Sequence, residues 1–143
     1  MIIPVFVNLF GPNQFPGSLS QAVGSTYGWV GSALTASTKA FKFALANYPD
    51  VVDATFRAVW TTENISSWIR LVHCDDGPVN ITQITEIQGN GSSNPANQVV
   101  DITTALHNLI VGGINKNLGF QLKDDGTNAW RIYEVRLEMN FEV

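Results

Sequence analysis

The chain has 143 residues, of which 45% are hydrophobic and 14% charged, and its formal net charge at pH 7 is −4. A domain of this length can bury a self-sufficient core, and a single cysteine excludes an internal disulfide framework and a cysteine-based zinc site. Because 8 Lys and Arg stand against 12 Asp and Glu, with no basic run, we expect no binding to nucleic acid.

Short blocks of β-branched and aromatic residues, separated by turn dipeptides, indicate an all-β protein. In chain order, strands are predicted at residues 2–9, 28–35, 39–46, 52–62, 67–74, 81–87, 97–102, 117–123 and 129–142. This spacing is typical of two packed sheets. We therefore predict an antiparallel two-sheet jelly-roll β-sandwich that forms a single domain over residues 1–143.

One segment, near residues 102–110, follows a helical period instead. Its apolar residues recur on one helical face and are Ile102, Leu106, Leu109 and Ile110. Gly112 and Gly113 then end the pattern. We predict one short helix here.

The opening MIIPVFVNLF lacks the basic start, the long apolar stretch and the cleavage site of a signal peptide. No apolar run approaches the length that spans a bilayer. We expect a soluble protein without membrane insertion, either cytoplasmic or released by a route that needs no signal peptide.

Strand alternation assigns each side chain to one of two faces. The core faces are predicted to carry Ala54, Phe56, Ala58, Trp60, Ile69, Leu71, Leu118, Phe120, Tyr133, Val135, Leu137, Met139 and Phe141. Val72 is predicted to point outward. The outward faces also receive five of the eight basic residues, namely Lys42, Arg57, Arg70, Lys123 and Arg136. That concentration on sheet faces is the least expected feature of the sequence.

Several motifs carry a resemblance to a known family. They are, in chain order, residues 54–60 (ATFRAVW), 69–72 (IRLV), 100–106 (VDITTAL), 112–113 (GG), 115–122 (NKNLGFQL) and 131–137 (RIYEVRL). Together they cover about half of the chain and resemble jelly-roll domains of the carbohydrate-binding-module type, in particular the DNRLRE-like β-sandwiches. The resemblance implies glycan binding on a sheet face or at loop tips, and it marks no specific binding residue.

Sugar recognition requires flat apolar rings and fixed polar side chains in a shallow, mostly neutral site. Four Trp, three Tyr and thirteen Asn meet that requirement. Trp29, with Tyr27 in the same glycine-flanked turn, is the first candidate platform. The alternative is that the Trp29 ring anchors a loop on the sandwich edge.

An outward-face cluster is the second candidate binding site. Its predicted members are Arg57, Trp68, Arg70, Gln121, Glu134 and Arg136, whose polar groups could hydrogen-bond sugar hydroxyls. The alternatives are a solvated sheet face with cross-strand ion pairs and a subunit interface.

Two acidic turns, at residues 75–77 and 124–126, contain oxygen ligands of the type that calcium prefers. Neither turn has the ligand count of a calcium loop by itself, and the turn chemistry of Asp-Gly explains both. We expect no cofactor and do not favour a structural calcium ion.

Residues for catalysis are poorly placed. His73 and Cys74 are neighbours in a strand, so their side chains face opposite ways. Glu134 and Glu138 lie about 13 Å apart along one strand, which is too far for a catalytic carboxylate pair. His107 has no Ser or Cys in a recognisable nucleophile motif to act on. We expect that the protein is not an enzyme.

These observations favour a non-catalytic lectin that binds an oligosaccharide or glycoconjugate through aromatic stacking and Asn, Gln and Arg hydrogen bonds. We expect a homo-oligomer, because single shallow sugar sites are weak and linked copies gain avidity. The alternative is a structural or assembly subunit of a homo-oligomer with a jelly-roll fold, in which the apolar segment at residues 2–10 is an exchanged or interface strand.

Overall fold

The computed structural model describes residues 1–10, 20–22, 26–28, 39–41, 48–62, 67–75, 79–92, 94–112, 117–123 and 130–143. Its elements are β1 (Ile2–Phe10), β2 (Ser20–Ala22), β3 (Thr26–Gly28), β4 (Lys39–Phe41), β5 (Asp50–Thr62), β6 (Trp68–Asp75), β7 (Val79–Gln88), β8 (Ala96–Asp101), α1 (Thr103–Val111), β9 (Asn117–Lys123) and β10 (Trp130–Glu142).

The strands form two four-stranded sheets and one short pair. The first sheet has the order β1-β10-β5-β8, and the second has the order β4-β9-β6-β7. Strands β2 and β3 pair with each other. Every described pairing is antiparallel. The prediction of a mainly antiparallel β-protein with two sheets and a short helix is therefore confirmed.

Both four-stranded sheets contribute to one hydrophobic core. The first sheet supplies Phe56 and Trp60 from β5 and Phe141 from β10, and the second supplies Leu71 from β6 and Phe120 from β9. All five side chains are buried. The alternation of apolar and polar residues along these strands directs one apolar row from each sheet toward this core. The arrangement is sandwich-like.

Helix α1 follows β8 and is fixed to β5 at its start. The Ile102 N–H donates to the Ala54 carbonyl at 2.9 Å, and the Ala54 N–H donates to Thr103 Oγ1 at 3.0 Å. The Asp101 carboxylate accepts the Thr103 N–H at 2.8 Å, which satisfies a donor of the first turn. Leu106 is buried in the core. The predicted helix is confirmed. Within the described ranges, no helix has the length and hydropathy to cross a membrane.

Seven predicted strands agree with the observed bounds to within two residues, and these are β1 and β5 to β10. Most residues of the predicted strands at 28–35 and 39–46 lie outside the described residues. In the parts that are described, β3 ends at the start of the first predicted strand, and β4 covers the start of the second. The short strands β2 and β3 were not expected, since three-residue strands carry almost no alternation.

Three side chains differ from expectation in how far they are exposed. Tyr133 was expected in the core but is 52% exposed, because β10 shifts its register against β5 between Ile132 and Glu134. Such a bulge places an extra residue on one strand and breaks the alternation. Val72 and Gln121, expected to face outward, are both buried.

Candidate functional site

The structure divides the predicted site residues between two surfaces. Arg57, Glu134 and Arg136 lie on the face of the first sheet that points away from the core. In the second sheet, the outward side of β6 carries Trp68 and Arg70, and Gln121 of β9 lies opposite Arg70. The two groups therefore lie on opposite sides of the shared core and do not form one site. The Tyr27 side chain and all of Trp29 lie outside the described residues, as does Lys42.

Five polar side chains on the first sheet form a connected array, which we call the polar cluster: Arg57, Asn97, Glu134, Arg136 and Glu138. The guanidinium of Arg57 donates from Nε and Nη2 to the two oxygens of Glu138, at 3.3 and 3.4 Å, and from Nη1 to Asn97 Oδ1 at 3.0 Å. Arg136 lies 2.6 Å from Glu138 through Nη2 and 2.9 Å from Glu134 through Nη1. Glu138 is thus shared by two arginines.

Strand pairing explains why these side chains meet. Arg136 of β10 lies directly opposite Arg57 of β5 in the antiparallel register. Two like charges at such a position would repel each other, because directly opposed side chains are about 5 Å apart. Glu138 and Glu134 lie two residues to either side of Arg136 on the same face, so each arginine has a carboxylate within reach.

The electrostatics of the polar cluster are balanced. Its two guanidinium groups and two carboxylates sum to zero charge. The hydrogen bond from Arg57, together with the positive charges of Arg136 and Arg57, lowers the pKa of Glu138, although burial acts in the opposite direction. The charged side chains of the cluster keep between 23% and 33% of their surface exposed. The cluster is therefore a neutral, fixed hydrogen-bonding surface within reach of solvent.

An exposed aromatic side chain, that of Tyr133, directly precedes the polar cluster in the chain. Tyr133 is the extra residue of the bulge in β10 and directly precedes Glu134 of the polar cluster. Bulges re-aim side chains and are frequent next to functional sites. The exposure of Tyr133 cannot be predicted from alternation, since the bulge leaves no mark in the sequence. Glu138 could have been found, because alternation already places it outward with Glu134.

The outward face of the second sheet is different. Arg70 Nη2 pairs with Glu86 Oε2 of β7 at 3.2 Å. The Nε of Arg70, like that of Arg136 on the first sheet, is buried without a hydrogen-bond partner among the described residues. On the same side of β6, Val72 and Cys74 are fully buried, and Gln121 opposite Arg70 is 1% exposed. A ligand approaching this face reaches the half-buried Trp68 and Arg70, but not Gln121.

Other titratable groups among the described residues occur in hydrogen-bonded pairs. Within the described residues, no group of three His, Cys, Asp or Glu side chains could hold a metal ion. Asp75, of the first acidic turn, accepts a hydrogen bond from the Asn80 amide. His107 Nδ1 lies 2.7 Å from Asp50 Oδ1, and that hydrogen bond lowers the pKa of the Asp50 carboxyl. The second acidic turn lies outside the described residues.

Comparison with known proteins gives this chain no family. No protein-family model matches it, and no curated protein matches it either. The resemblance to carbohydrate-binding modules stays a prediction.

Proposed function

We propose that this protein is a non-catalytic jelly-roll lectin that binds a neutral oligosaccharide on the outward face of its first sheet. The polar cluster supplies the hydrogen bonds to hydroxyl groups, and Tyr133 supplies the ring that stacks on a sugar face.

The order of strand pairing supports the jelly-roll part of this proposal. When the short β2–β3 pair is set aside, the first of the eight remaining strands pairs with the last, and each following strand pairs with the next one inward. The pairs are β1 with β10, β4 with β9, β5 with β8 and β6 with β7. A jelly roll is an eight-stranded double sheet made of two Greek keys, and nested pairing of this kind produces it.

The polar cluster is the observation that carries the sugar-binding part. A pyranose presents neighbouring hydroxyls that both donate and accept, so it is held best by planar groups fixed in orientation. Arg57 and Arg136 are held in this way by Glu138, and each guanidinium has five N–H donors. The contacts of Arg57 with described residues use three of them. A cluster with zero net charge suits an uncharged ligand better than an anionic one.

The test is a glycan array followed by titration calorimetry with the strongest ligand. Tyr133→Ala and Arg57→Gln change the proposed site, and Trp68→Ala and Arg70→Gln make matching changes on the opposite sheet. We expect the first two to weaken binding by about tenfold or more, which corresponds to about 1.4 kcal/mol. The second pair should leave affinity unchanged. Thermal unfolding of each variant shows whether it is folded.

Two outcomes would refute this proposal. If the folded protein binds no glycan on the array or in solution, the lectin function is wrong. If binding is lost in Trp68→Ala but kept in Tyr133→Ala, the site lies on the second sheet and the role of the polar cluster is wrong.

The second candidate function is a structural subunit of a homo-oligomer. It is favoured by β1, which lies at the edge of the first sheet among the described strands and whose Ile2 and Phe6 side chains are exposed. A large defined assembly that binds no glycan would support this candidate over the lectin.

A further inference from the structure

Among the described residues, strand β1 has an apolar edge that no other strand pairs with. In the described part of the chain it pairs with β10 on one side, and it ends the first sheet on the other. Its sequence, IIPVFVNLF, contains no charged residue. Ile2 is 54% exposed and Phe6 is 67% exposed. Natural proteins usually charge or cover such an edge, because an open apolar edge pairs with another strand.

The hydrogen bonding of β1 to β10 determines which backbone groups face this edge. The Val143 N–H donates to the Met1 carbonyl at 2.9 Å, so the odd-numbered residues of β1 form the hydrogen-bonded pairs with β10. The even-numbered residues therefore direct their backbone groups toward the open edge. Pro4 is one of them and has a carbonyl but no N–H. In the described part of the chain, the N–H groups directed to this edge belong to Ile2, Phe6 and Asn8.

We infer that this edge pairs with β1 of a second copy, antiparallel about a twofold axis at Val5. In this register Ile2 faces Asn8 of the second copy, and Pro4 faces Phe6. Because proline has no N–H, the Phe6 carbonyl in each Pro4–Phe6 pair has no donor opposite it. The other backbone groups directed to this edge form hydrogen bonds between the two copies. A twofold axis at Pro4 would instead place the two prolines opposite each other and remove both hydrogen bonds of the central pair.

The charged residues next to this edge do not oppose the same register. Ile2 lies opposite Glu142 and Asn8 opposite Arg136 in the β1–β10 pairing. The two copies of β1 and the two copies of β10 would then lie side by side as four strands. The row of residues that crosses these strands through Ile2 of one copy and Asn8 of the other therefore starts at Glu142 of the first copy and ends at Arg136 of the second. A twofold axis at Phe6 would instead place Glu138 of both copies at the two ends of the row that crosses the axis. These groups are three interstrand spacings, about 14 Å, apart, which exceeds the Debye length of about 8 Å at physiological ionic strength, so the contact depends on the uncharged strands.

The apolar side chains also fit this arrangement. On the outward face, the exposed Phe6 ring packs against Pro4 of the second copy. On the inward face, Val5 meets its own copy and Ile3 meets Val7, which extends the row of partly buried β1 side chains that packs on the core. The pairing makes one continuous sheet from the two first sheets and does not depend on glycan binding. If the proposed function also holds, two polar clusters lie on one face and can bind linked sugars together.

Sedimentation equilibrium and native mass spectrometry of the full chain, without any glycan, test the pairing. Phe6→Lys adds a charge to the open edge at an exposed position. The matched control is Val99→Lys, which changes an exposed residue on the opposite margin of the same sheet. We expect a wild-type dimer, a dissociation constant raised by at least about tenfold in Phe6→Lys, and no change in Val99→Lys.

Cross-linking tests the register. Val5→Cys places two thiols at the twofold axis in a non-hydrogen-bonded pair, whose Cα atoms are about 4.5 Å apart and within disulfide range. The native Cys74 is buried and does not compete. We expect Val5→Cys to form a disulfide dimer on mild oxidation and Phe6→Cys to form far less. Efficient cross-linking through Phe6→Cys instead would overturn the register. A protein that stays monomeric at every concentration, or a dimer that Phe6→Lys does not weaken, would overturn the pairing itself.

Discussion

The outward faces of the two sheets differ, although both are alternate rows of side chains on antiparallel strands. On the first sheet the polar cluster keeps about a quarter to a third of its charged side chains exposed, and Val99 beside it is 49% exposed. On the second sheet, Val72 and Gln121 are buried although they also point away from the core. Alternation sorts side chains into two groups, but it does not tell which outward group is covered.

That difference bears on the proposed sugar-binding function. A shallow sugar site needs polar groups that solvent can reach, and the first sheet provides a connected set of them. The second sheet has the Arg70–Glu86 pair beside buried residues, which is an arrangement for stability. The first sheet is therefore the better candidate for ligand binding, and the second sheet provides controls.

The largest effect should come from adding a charge to the buried outward face. We expect Val72→Asp to destabilise the fold by about 4 kcal/mol or more, because it places an unpaired carboxylate among buried residues. Val99→Asp, on the exposed face, should change stability by less than about 0.5 kcal/mol. Chemical denaturation measures both. Equal effects of the two substitutions would mean that the faces do not differ in burial.

The next largest loss of stability should come from a hydrogen-bonded link between the two sheets. The indole N–H of the buried Trp60 donates to Gln98 Oε1, and Gln98 Nε2 donates to the Gln88 carbonyl at 2.9 Å. Gln98 thus links β8 of the first sheet to β7 of the second. Gln98→Ala leaves the buried indole N–H unpaired, so we expect a loss of about 1–3 kcal/mol.

A nearby exposed glutamine gives the control for this link. Gln83 of β7 is exposed, and Gln83→Ala should cost less than about 0.5 kcal/mol in the same denaturation experiment. If Gln98→Ala is as harmless as Gln83→Ala, the link through Gln98 does not hold the sheets together.

The sequence predicts most of the fold for a physical reason. Phe56, Leu71 and Phe120 lie in strands with regular alternation of apolar and polar residues, so the sequence directly predicts that their side chains face the core. Tyr133 could not be assigned, because a bulge depends on the pairing of β10 with β5 rather than on local sequence. The separation of Trp68 from Arg57 could not be predicted either, since alternation says nothing of which strands share a sheet.

Removing the shared carboxylate of the polar cluster should have a smaller effect than the changes above. Glu138→Gln weakens the interactions with Arg57 and Arg136 and should lower the free energy of unfolding by about 1–2 kcal/mol. A partly buried network of this kind contributes more to stability than a single exposed ion pair. Glu86→Gln, which removes the ion pair with Arg70 on the other sheet, should cost less than about 1 kcal/mol. Urea denaturation at neutral pH compares the two. A larger loss in Glu86→Gln would reverse the ranking of the two faces.

The smallest effect is the pH dependence of the same cluster. The hydrogen bond from Arg57, with the charges of both arginines, lowers the pKa of Glu138 in the folded protein. The unfolded chain binds a proton at this group more readily, so the contribution of Glu138 to stability is complete above its ordinary pKa of about 4.3. It is lost as the pH falls through the lower pKa of the folded state. The difference in unfolding free energy between wild type and Glu138→Gln should therefore be largest at neutral pH and shrink in acid. If that difference stays constant from neutral to acid pH, the carboxylate of Glu138 is not held by the arginines in solution.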